Sequence, residues 1–369
     1  MLIGVDGNEA NVDRKVGIGE FAYRLLAEFY LRKDDDLDFE IFLKNPPGSD
    51  MPKEDKHWKY RVVGPKKFWT QFGLPVNLYT SRKKPDVFFT PTHYAPRFSP
   101  VPCVVSIMDL SYIYYEYLFN KRDLYQLKNW TAYSVKNAGK IITISNSSKD
   151  DIIKYYKVPS GKIAVVYPGI KKILDVKYKE LGMGDLNKKF GIEGDYILFV
   201  GTLQPRKNIT RLIEAFAKTK KDLQLVIVGK KGWLYEDILS APKKFGIEDR
   251  VKFLDFVKDE DLPSLYKNAL CYVLPSLYEG FGLPVLEAME YGCPVITSNI
   301  SSLPEAGGNA ALYIDPYNVE DIVEKIEKVV NSSALRAEMR KKGLEQVKKF
   351  SWEKSAGQVL EVLQAASRA

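Results

Sequence analysis

Two series of short apolar segments, separated by helical patterns, constrain the fold of this 369-residue chain more than any other feature. The first series occupies 2–7, 39–44, 86–91, 103–109, 141–145 and 162–170. The second series occupies 196–201, 223–229, 251–257, 271–276 and 294–299. Strands that alternate with helices pair in parallel through right-handed crossovers. The pattern therefore predicts an α/β fold with two doubly wound, Rossmann-like parallel sheets.

The length of the chain favours two domains, because one hydrophobic core rarely organises more than about 250–300 residues. Residues 171–195 are rich in Lys, Gly and Asp and lack long apolar runs, which is typical of a linker. We therefore predict an N-terminal domain over 1–172 and a C-terminal domain over 173–351, which face each other across a cleft. Ligands of doubly wound sheets bind beyond the carboxyl ends of the strands, so the functional residues are expected there.

The composition excludes a disordered chain, since 45% of the residues are hydrophobic and 28% are charged. The N-terminus lacks the pattern of a signal peptide, and no apolar run reaches the ~20 residues of a membrane span. Cys103, Cys271 and Cys293 lie in separate apolar contexts without the spacing of metal ligands. We expect buried thiols in a reducing cytoplasm.

The net charge of +8 lies in the first half of the chain, where 27 Lys/Arg stand against 19 Asp/Glu up to residue 172. Cations and aromatic residues are interleaved in this half. They are Lys53, Lys56, Lys59, Arg61, Lys66, Lys67, Arg82, Lys83 and Lys84, with Trp58, Tyr60, Phe68, Trp69, Phe72 and Tyr79. One interpretation is contact with an anionic membrane surface or a phosphate-bearing acceptor. The other is a solvated charged face whose aromatic residues point into the core.

The segment Glu279-Gly-Phe-Gly-Leu-Pro-Val-Leu-Glu287 follows a predicted strand and begins a helix. Free amide groups and the positive end of a helix dipole attract an anion at such a junction. Gly280 and Gly282 let the backbone approach a ligand closely. Glu279 and Glu287 flank this position, and carboxylates accept hydrogen bonds from sugar hydroxyls.

A pair of cations follows the first strand of the second series, in Gly201-Thr-Leu-Gln-Pro-Arg-Lys-Asn208. Cations oppose the dipole at a helix start, so their presence there favours a functional role over a solvated pair. Arg206 offers a planar fork and Lys207 a point charge, and both can stabilise charge on a departing diphosphate.

These two segments resemble the retaining glycosyltransferases of family 4. Glu279 and Glu287 match the family's Glu-x7-Glu signature, and the Arg206-Lys207 segment resembles the form seen among mannosyl- and related hexosyltransferases. Many members have Arg where this chain has Thr202. The resemblance extends to Gly17-Ile-Gly19, to the base-binding region that starts at Val257, and to Phe350-Ser-Trp352, where the family's last helix, here 352–369, returns to the first domain.

The resemblance implies the GT-B fold and metal-independent transfer of a mannose- or glucose-type hexose with retention of configuration. The donor is a GDP-, UDP- or dTDP-sugar, the acceptor is a hydroxyl of a glycan or lipid-linked chain, and no cofactor or metal is expected. Arg206 and Lys207 are expected at the diphosphate, Glu287 at the ribose and Glu279 at the sugar hydroxyls. The diphosphate is also expected to meet the backbone of Gly280, Phe281, Gly282 and Leu283.

One departure from the family lies in Ile107-Met108-Asp109-Leu110, where family members usually have His before Asp. Methionine neither donates a hydrogen bond nor carries a proton. His93 ends the preceding predicted strand and is a candidate replacement, and the resemblance assigns Asp109 to the catalytic residues.

Three other functions fit parts of the sequence. A nicotinamide dehydrogenase would use Gly17-x-Gly19-x-x-Ala22, but about ten residues separate these glycines from the preceding strand, too many for its tight turn. A basic anion- or membrane-binding protein without transferase activity, and a sugar-nucleotide epimerase on the same fold, stay open. We expect no nucleic-acid partner, a cytoplasmic location and peripheral contact with an anionic membrane.

Overall fold

The chain divides into two compact units in the computed structural model. Residues 1–15, 17–34, 36–170, 178, 180–219 and 222–368 are described. Met1–Gly169 and Ser351–Ala369 form the first unit, and Ile170–Phe350 form the second. The boundary expected at 172/173 lies outside the described residues.

The first unit contains a sheet of seven parallel strands in the order β3-β2-β1-β4-β5-β6-β7. The strands are β1 (Leu2–Asp6), β2 (Asp38–Leu43), β3 (Trp58–Val62), β4 (Val87–Thr90), β5 (Cys103–Ser106), β6 (Lys140–Thr143) and β7 (Ile163–Val165). The strand order reverses between β1 and β4. Such a reversal opens a crevice at the carboxyl ends of the two strands, where ligands of doubly wound sheets bind.

The second unit repeats this topology with six parallel strands in the order β10-β9-β8-β11-β12-β13. They are β8 (Tyr196–Val200), β9 (Gln224–Val228), β10 (Val251–Leu254), β11 (Cys271–Leu274), β12 (Val295–Ser298) and β13 (Leu312–Ile314). Here the order reverses between β8 and β11. The predicted class of two doubly wound parallel-sheet units is confirmed.

Helices connect the strands in both units. They are α1 (Ile18–Arg32), α2 (Leu74–Thr80), α3 (Ser111–Tyr114), α4 (Lys121–Asn137), α5 (Asn146–Tyr156), α6 (Met183–Phe190), α7 (Ile209–Ala217), α8 (Glu236–Phe245), α9 (Leu262–Asn268), α10 (Leu283–Glu290), α11 (Leu303–Gly307), α12 (Val319–Val330), α13 (Ser333–Val347) and α14 (Trp352–Ser367). A short π-helical turn, Trp69–Gly73, runs directly into α2.

Adjacent residues of the central strands point to opposite faces of the first sheet. In β4, Phe89 belongs to the core beneath α1 and α14, whereas Phe88 belongs to the core on the other face. Because both faces are covered, the strand is apolar throughout rather than alternating, as parallel strands generally are.

The last helix, α14, packs on the first unit. Trp352 meets the ring of Phe21 edge-on, with 5.9 Å between the centroids. Gly169 makes this approach possible, because a Cβ atom there would lie 2.1 Å from the backbone nitrogen of Trp352. A side chain at residue 169 would displace the start of α14.

Three elements differ from the sequence prediction. No strand was predicted over residues 58–62, but they form the edge strand β3; Trp58 is fully buried there, as the interpretation with aromatic residues in the core expects. The expected linker 171–195 contains helix α6, while 171–177 and 179 lie outside the described residues. β13 was not predicted at all, because three residues are too few to show a period.

Candidate active site

The loop that carries Glu279 leaves β11 and enters α10 at the reversal point of the second sheet. Gly282 precedes the helix with a φ of 108°, a conformation that favours glycine. A Cβ atom there would also lie 2.9 Å from a methyl carbon of Leu303. Pro284 follows in the first turn, where a missing N–H is harmless. Glycine and proline thus fix the loop where the chain turns into the helix.

The loop that carries the two cations leaves the neighbouring strand β8 and is tied to the first loop by hydrogen bonds. Asn208 adopts a left-handed conformation, and its Nδ2 donates to the carbonyl oxygens of Pro275 at 3.1 Å and Pro316 at 2.7 Å. The amide of Leu277 donates to the carbonyl oxygen of Arg206 at 2.9 Å. These bonds hold the cations against the Glu279 loop.

Glu279 forms ion pairs with both cations. Lys207 Nζ lies 2.6 Å from Oε1, and Arg206 Nη1 lies 3.1 Å from Oε2. Arg206 also donates to the carbonyl oxygen of Tyr278. Glu279 and Lys207 are 7% and 8% exposed, so these charges interact with little screening by water. The sequence separated these residues by more than 70 positions, and the fold brings them into contact.

Burial by itself would raise the pKa of the Glu279 carboxyl. Lys207 and then Arg206 outweigh it and lower the pKa to about 2. The carboxylate is therefore ionised at neutral pH and acts as a hydrogen-bond acceptor only. Two cations against one carboxylate leave the cluster with a net positive charge, which suits an anionic group.

The remaining residues predicted for this unit lie around the same strand ends. The side chain of Phe281 is buried against Phe350, with 5.5 Å between the ring centroids. Its contribution to a ligand would come from its backbone, as it would for Gly280 and Leu283. Glu287 is half-buried on α10. The pKa values of the Tyr266 and Tyr291 hydroxyls are raised mainly by their burial and next by the charge of Glu287. Thr202 is exposed after β8, and Val257 is buried after β10.

His93 and Met108 are brought together in the first unit, at the carboxyl ends of β4 and β5. The Met108 amide donates to His93 Nε2 at 3.2 Å, so the neutral ring carries its proton on Nδ1. Nδ1 is buried and has no hydrogen-bond partner in the described parts of the chain. Burial lowers the pKa of His93 to about 4, although Asp109 nearby opposes this shift.

The other residues predicted for the first unit have local structural roles. Asp109 Oδ1 accepts a hydrogen bond from the Ser111 amide at 2.8 Å. Gly17 precedes α1 with a φ of 52°. A Cβ atom on Gly19 would lie 2.9 Å from the carbonyl oxygen of Glu9, so this glycine permits close contact between α1 and the loop after β1.

Family models match both units. The model described as Glycosyltransferase Family 4 matches residues 30–172, and the model described as Glycosyl transferases group 1 matches residues 185–346. The two matched segments together make up well over half of the chain. The chain belongs to glycosyltransferase family 4.

Named relatives of this family 4 chain include mannosyltransferases. The chain is 35% identical over 231 residues to the O-antigen chain mannosyltransferase B of Escherichia coli, which is 62% of this chain and 61% of the relative. It is 35% identical over 187 residues to the O-antigen chain mannosyltransferase RfbU of Salmonella typhimurium; the aligned residues are 50% of this chain and 48% of the relative. The matches thus span about half to three fifths of these relatives' own length.

Solved structures share the fold of the family 4 chain over its whole length. Anabaena HepE in complex with UDP-glucose superimposes with a TM-score of 0.74 at 19% identity, covering 99% of both chains. The sucrose-phosphate synthase of Thermosynechococcus elongatus gives 0.73 at 19% identity with the same coverage. These neighbours establish the GT-B fold.

The described residues provide neither a membrane-spanning helix nor a metal-binding cluster. None of their helices is both long and apolar enough to span a bilayer. They contain no group of three or more His, Cys, Asp or Glu side chains arranged to hold a metal ion. The three cysteines are free and buried.

Asn208 is a positioning residue of this family 4 chain that sequence reasoning missed. Its signal was available, because Asn is among the residues that tolerate a left-handed conformation and it directly precedes a helix. The sequence did not show that its side-chain amide donates to two carbonyl groups on separate loops, those of Pro275 and Pro316.

Proposed function

We propose that the protein transfers a mannose- or glucose-type hexose from a nucleoside diphosphate sugar to a hydroxyl of a glycan or lipid-linked acceptor, with retention of configuration and without a metal. The observation that carries this proposal is the cluster of Glu279, Lys207 and Arg206 at the strand-order reversal of the second sheet. The names of the relatives support mannosyl transfer. The UDP-glucose complex of HepE, which shares the fold, supports a nucleotide-sugar donor.

Lys207 and Arg206 act on the diphosphate of the donor. As the bond between the sugar and the phosphate oxygen breaks, negative charge grows on the diphosphate, and the two cations stabilise it. Glu279 holds both cations in place and accepts hydrogen bonds from sugar hydroxyls. The amides at 280–283 and the start of α10 add donors for the diphosphate, and Glu287 binds the ribose.

Retention follows if the acceptor hydroxyl attacks the face from which the diphosphate leaves. A new bond forms between the acceptor oxygen and the anomeric carbon while the bond to the phosphate oxygen breaks. The hydroxyl proton passes to an oxygen of the departing diphosphate, so no basic side chain is needed. The protein's part is to orient the two substrates and to stabilise the leaving group.

Independence from metal follows from the same cluster. A divalent cation would supply positive charge at the diphosphate, and Lys207 and Arg206 already supply it. We expect transfer to continue unchanged in the presence of EDTA. Loss of activity on chelation, restored by a divalent metal, would overturn this part of the proposal.

The test combines donor binding with product analysis. We expect GDP- or UDP-sugars to raise the thermal midpoint of the protein, since a ligand at 100 times its Kd stabilises by about 2.7 kcal/mol. Lys207→Ala should abolish this shift and lower transfer by about 10²–10³-fold. Lys218→Ala is the matched control, because Lys218 is paired with Glu320 on the surface of the same unit.

Three outcomes would contradict the proposal. Donor binding that is unaffected in Lys207→Ala would remove the cluster from the site. An inverted anomeric configuration in the product, read by NMR, would refute retention. Conversion of the donor to another sugar nucleotide without any acceptor would show an epimerase instead.

We also propose a cytoplasmic protein that contacts the inner face of an anionic membrane and takes no nucleic acid as partner. An apolar stripe supports this contact: Phe68, which directly precedes the turn Trp69–Gly73, and Phe72, Val76 and Tyr79, which lie on this turn and on α2, are each more than half exposed. Arg82, Lys83 and Lys84 follow this stripe directly. Exposed aromatic residues beside cations are typical of interfacial segments.

Vesicle flotation tests this contact. Vesicles with anionic lipid should carry the protein to the top of the gradient, and neutral vesicles should not. Phe72→Ser with Tyr79→Ser should abolish flotation, whereas Leu344→Ser, which changes an exposed leucine of the second unit, should not. Equal flotation of all three proteins would refute a membrane contact at this stripe.

A further inference from the structure

A pocket of about 300 Å³ lies within the first unit, outside the cluster around Glu279. Its lining comes from the carboxyl ends of four strands and from α4. Glu9 follows β1, Lys44 follows β2, Lys67 and Trp69 follow β3, and Tyr94 follows β4. The strand order reverses between β1 and β4, so the pocket occupies the position where this fold places ligands.

Aromatic rings form one part of the pocket and are held in fixed orientations. Trp69 is buried, and its Nε1 donates to Asp6 at 3.1 Å. Tyr94 and Trp130 meet edge to face with 5.5 Å between their centroids. The apolar C–H face of a sugar ring packs against such planes, and rings that are already fixed lose little entropy on binding.

Cations form the other part of the pocket. Lys44, Lys66, Lys67 and Arg122 line it together with a single carboxylate, that of Glu9. Over the described part of the chain, none of these four cations forms an ion pair with a carboxylate; Lys66 donates to Asn45 at 2.6 Å instead. An uncompensated group of Lys and Arg attracts a phosphate, and an Arg can bind it through two hydrogen bonds.

Glu9 gives the pocket a hydrogen-bond acceptor among its cations. Partial burial raises the pKa of its carboxyl, Asp6 raises it further, and Lys44 opposes both. A carboxylate in this position repels an anion that carries no hydroxyl groups, but it accepts hydrogen bonds from sugar hydroxyls. The lining therefore combines groups for a sugar ring with groups for a phosphate.

We propose that this pocket binds the acceptor and that the acceptor presents a hexose linked to a phosphate. The hexose packs against Tyr94 and Trp130 and donates a hydroxyl to Glu9, while Lys67 and Arg122 bind the phosphate. The volume lies at the low end for ligand pockets, so it admits about one sugar with its phosphate. The assignment as acceptor site rests on the transferase function proposed above, whereas the ligand class rests on the pocket alone.

Calorimetry on the full chain tests the ligand class. The probes are mannose 1-phosphate, methyl mannoside and inorganic phosphate, each added with GDP or UDP at saturation to occupy the donor site. Mannose 1-phosphate should bind at least tenfold more tightly than either of the other two. Equal affinity for inorganic phosphate and mannose 1-phosphate would refute the sugar part, and equal affinity for methyl mannoside would refute the phosphate part.

Substitutions locate the binding. Arg122→Gln should weaken mannose 1-phosphate about tenfold, and Lys67→Gln with Arg122→Gln further still. Lys121→Gln removes the same charge from the neighbouring residue of α4, which does not line the pocket, and should leave binding unchanged. Binding that survives the double substitution would overturn the proposal.

Donor binding separates this proposal from the transferase function. Lys67→Gln with Arg122→Gln should leave the thermal shift by nucleotide sugars intact, and Lys207→Ala should leave mannose 1-phosphate binding intact. If the wild type binds mannose 1-phosphate in the pocket but no nucleotide sugar, the transferase function fails and the ligand class stands. If it binds nucleotide sugars but no sugar phosphate, the reverse holds.

Two probes distinguish the sources of the phosphate. A mannosyl diphosphate with a short isoprenyl chain represents a lipid-linked acceptor, and mannose 1-phosphate represents a soluble one. Tighter binding of the isoprenyl compound that is lost in Arg122→Gln supports a lipid-linked source. Equal binding with the same loss supports a soluble source, and tighter binding without that loss contradicts the pocket.

Discussion

The carboxyl ends of the two sheets show two different ways to hold charge near a strand-order reversal. In the second unit, Lys207 and Arg206 are paired with Glu279, and this pairing lowers the pKa of the carboxyl. In the first unit, burial raises the pKa of Asp6 and of Glu9. The cations near these carboxyls do not compensate for their burial.

The difference shows which site is held together by its own charges. Ion pairs and hydrogen bonds organise the Glu279 cluster before any ligand arrives, so each of its members supports the others. The pocket of the first unit is organised by its aromatic rings, and its charges are left for a ligand. Changes of charge should therefore alter stability in the second unit and mainly ligand binding in the first.

The largest effect is expected for Glu279→Gln. This change leaves Lys207 buried without its carboxylate, and breaking a buried ion pair lowers stability by about 3–5 kcal/mol. Urea unfolding at neutral pH measures the loss, with Glu320→Gln as a control that breaks an exposed pair in the same unit. An equal and small loss in both variants would show that the cluster is not held by its charges.

A double substitution sharpens this result. Glu279→Gln with Lys207→Met removes the more deeply buried of the two ion pairs as a whole and should recover part of the stability, because Arg206, which also loses its carboxylate, keeps its hydrogen bond to the Tyr278 carbonyl oxygen. Transfer should stay lost, since the diphosphate no longer meets Lys207. Recovery of transfer together with stability would remove Lys207 from the catalytic machinery.

The next effect concerns His93 and the pH. Its pKa is about 4 in the folded protein, against 6.5 for an unperturbed histidine, so between these values the unfolded chain binds a proton that the folded protein does not. Stability is therefore fully present above pH 6.5 and is lost as the pH falls toward 4, by roughly 3 kcal/mol in total. His93→Gln should remove this dependence, as measured by urea unfolding between pH 7 and 4.

A second measurement asks whether His93 acts on substrate. If its buried Nδ1–H donates to a ligand, His93→Gln should lower transfer at pH 7.5, where the stability of both proteins is independent of this group. Met108→His in the His93→Gln background tests whether the position usual in the family can take over. Unchanged transfer in His93→Gln would limit the residue to a structural role.

Most strands could be predicted from the sequence because their apolar character is continuous. A strand covered on both faces, such as β4 with Phe88 and Phe89, leaves a run that charge does not interrupt. β3 failed this criterion. It lies at the edge of the sheet, where Trp58 and Tyr60 alternate with Lys59 and Arg61. This alternation has the period of two of a half-exposed strand and lacks the continuous apolar run that marks a strand covered on both faces.

The cluster around Glu279 could be predicted because its two parts, the pair of cations and the carboxylate, each lie in a loop that directly follows a strand. The strand order then brings the ends of β8 and β11 together. The pocket of the first unit could not be predicted in this way. Glu9, Lys44, Lys67 and Tyr94 follow four strands that the sheet order brings together. The sequence does not show that the packing of Trp69 and α4 adds Arg122 and closes these strand ends into a pocket.

The smallest effect on stability is expected for Glu9→Gln, which is the counterpart of Glu279→Gln in the first unit. Glu9 forms no ion pair with the described residues, and burial disfavours its charged form, so the free energy of unfolding should change by less than about 0.5 kcal/mol. Its affinity for mannose 1-phosphate should change instead, because an amide is a weaker acceptor for a sugar hydroxyl than a carboxylate. Inorganic phosphate should bind at least as well as before, since removing a negative charge favours an anion. Large destabilisation by Glu9→Gln would show that charge also holds the first unit together, and the contrast between the two sites would not stand.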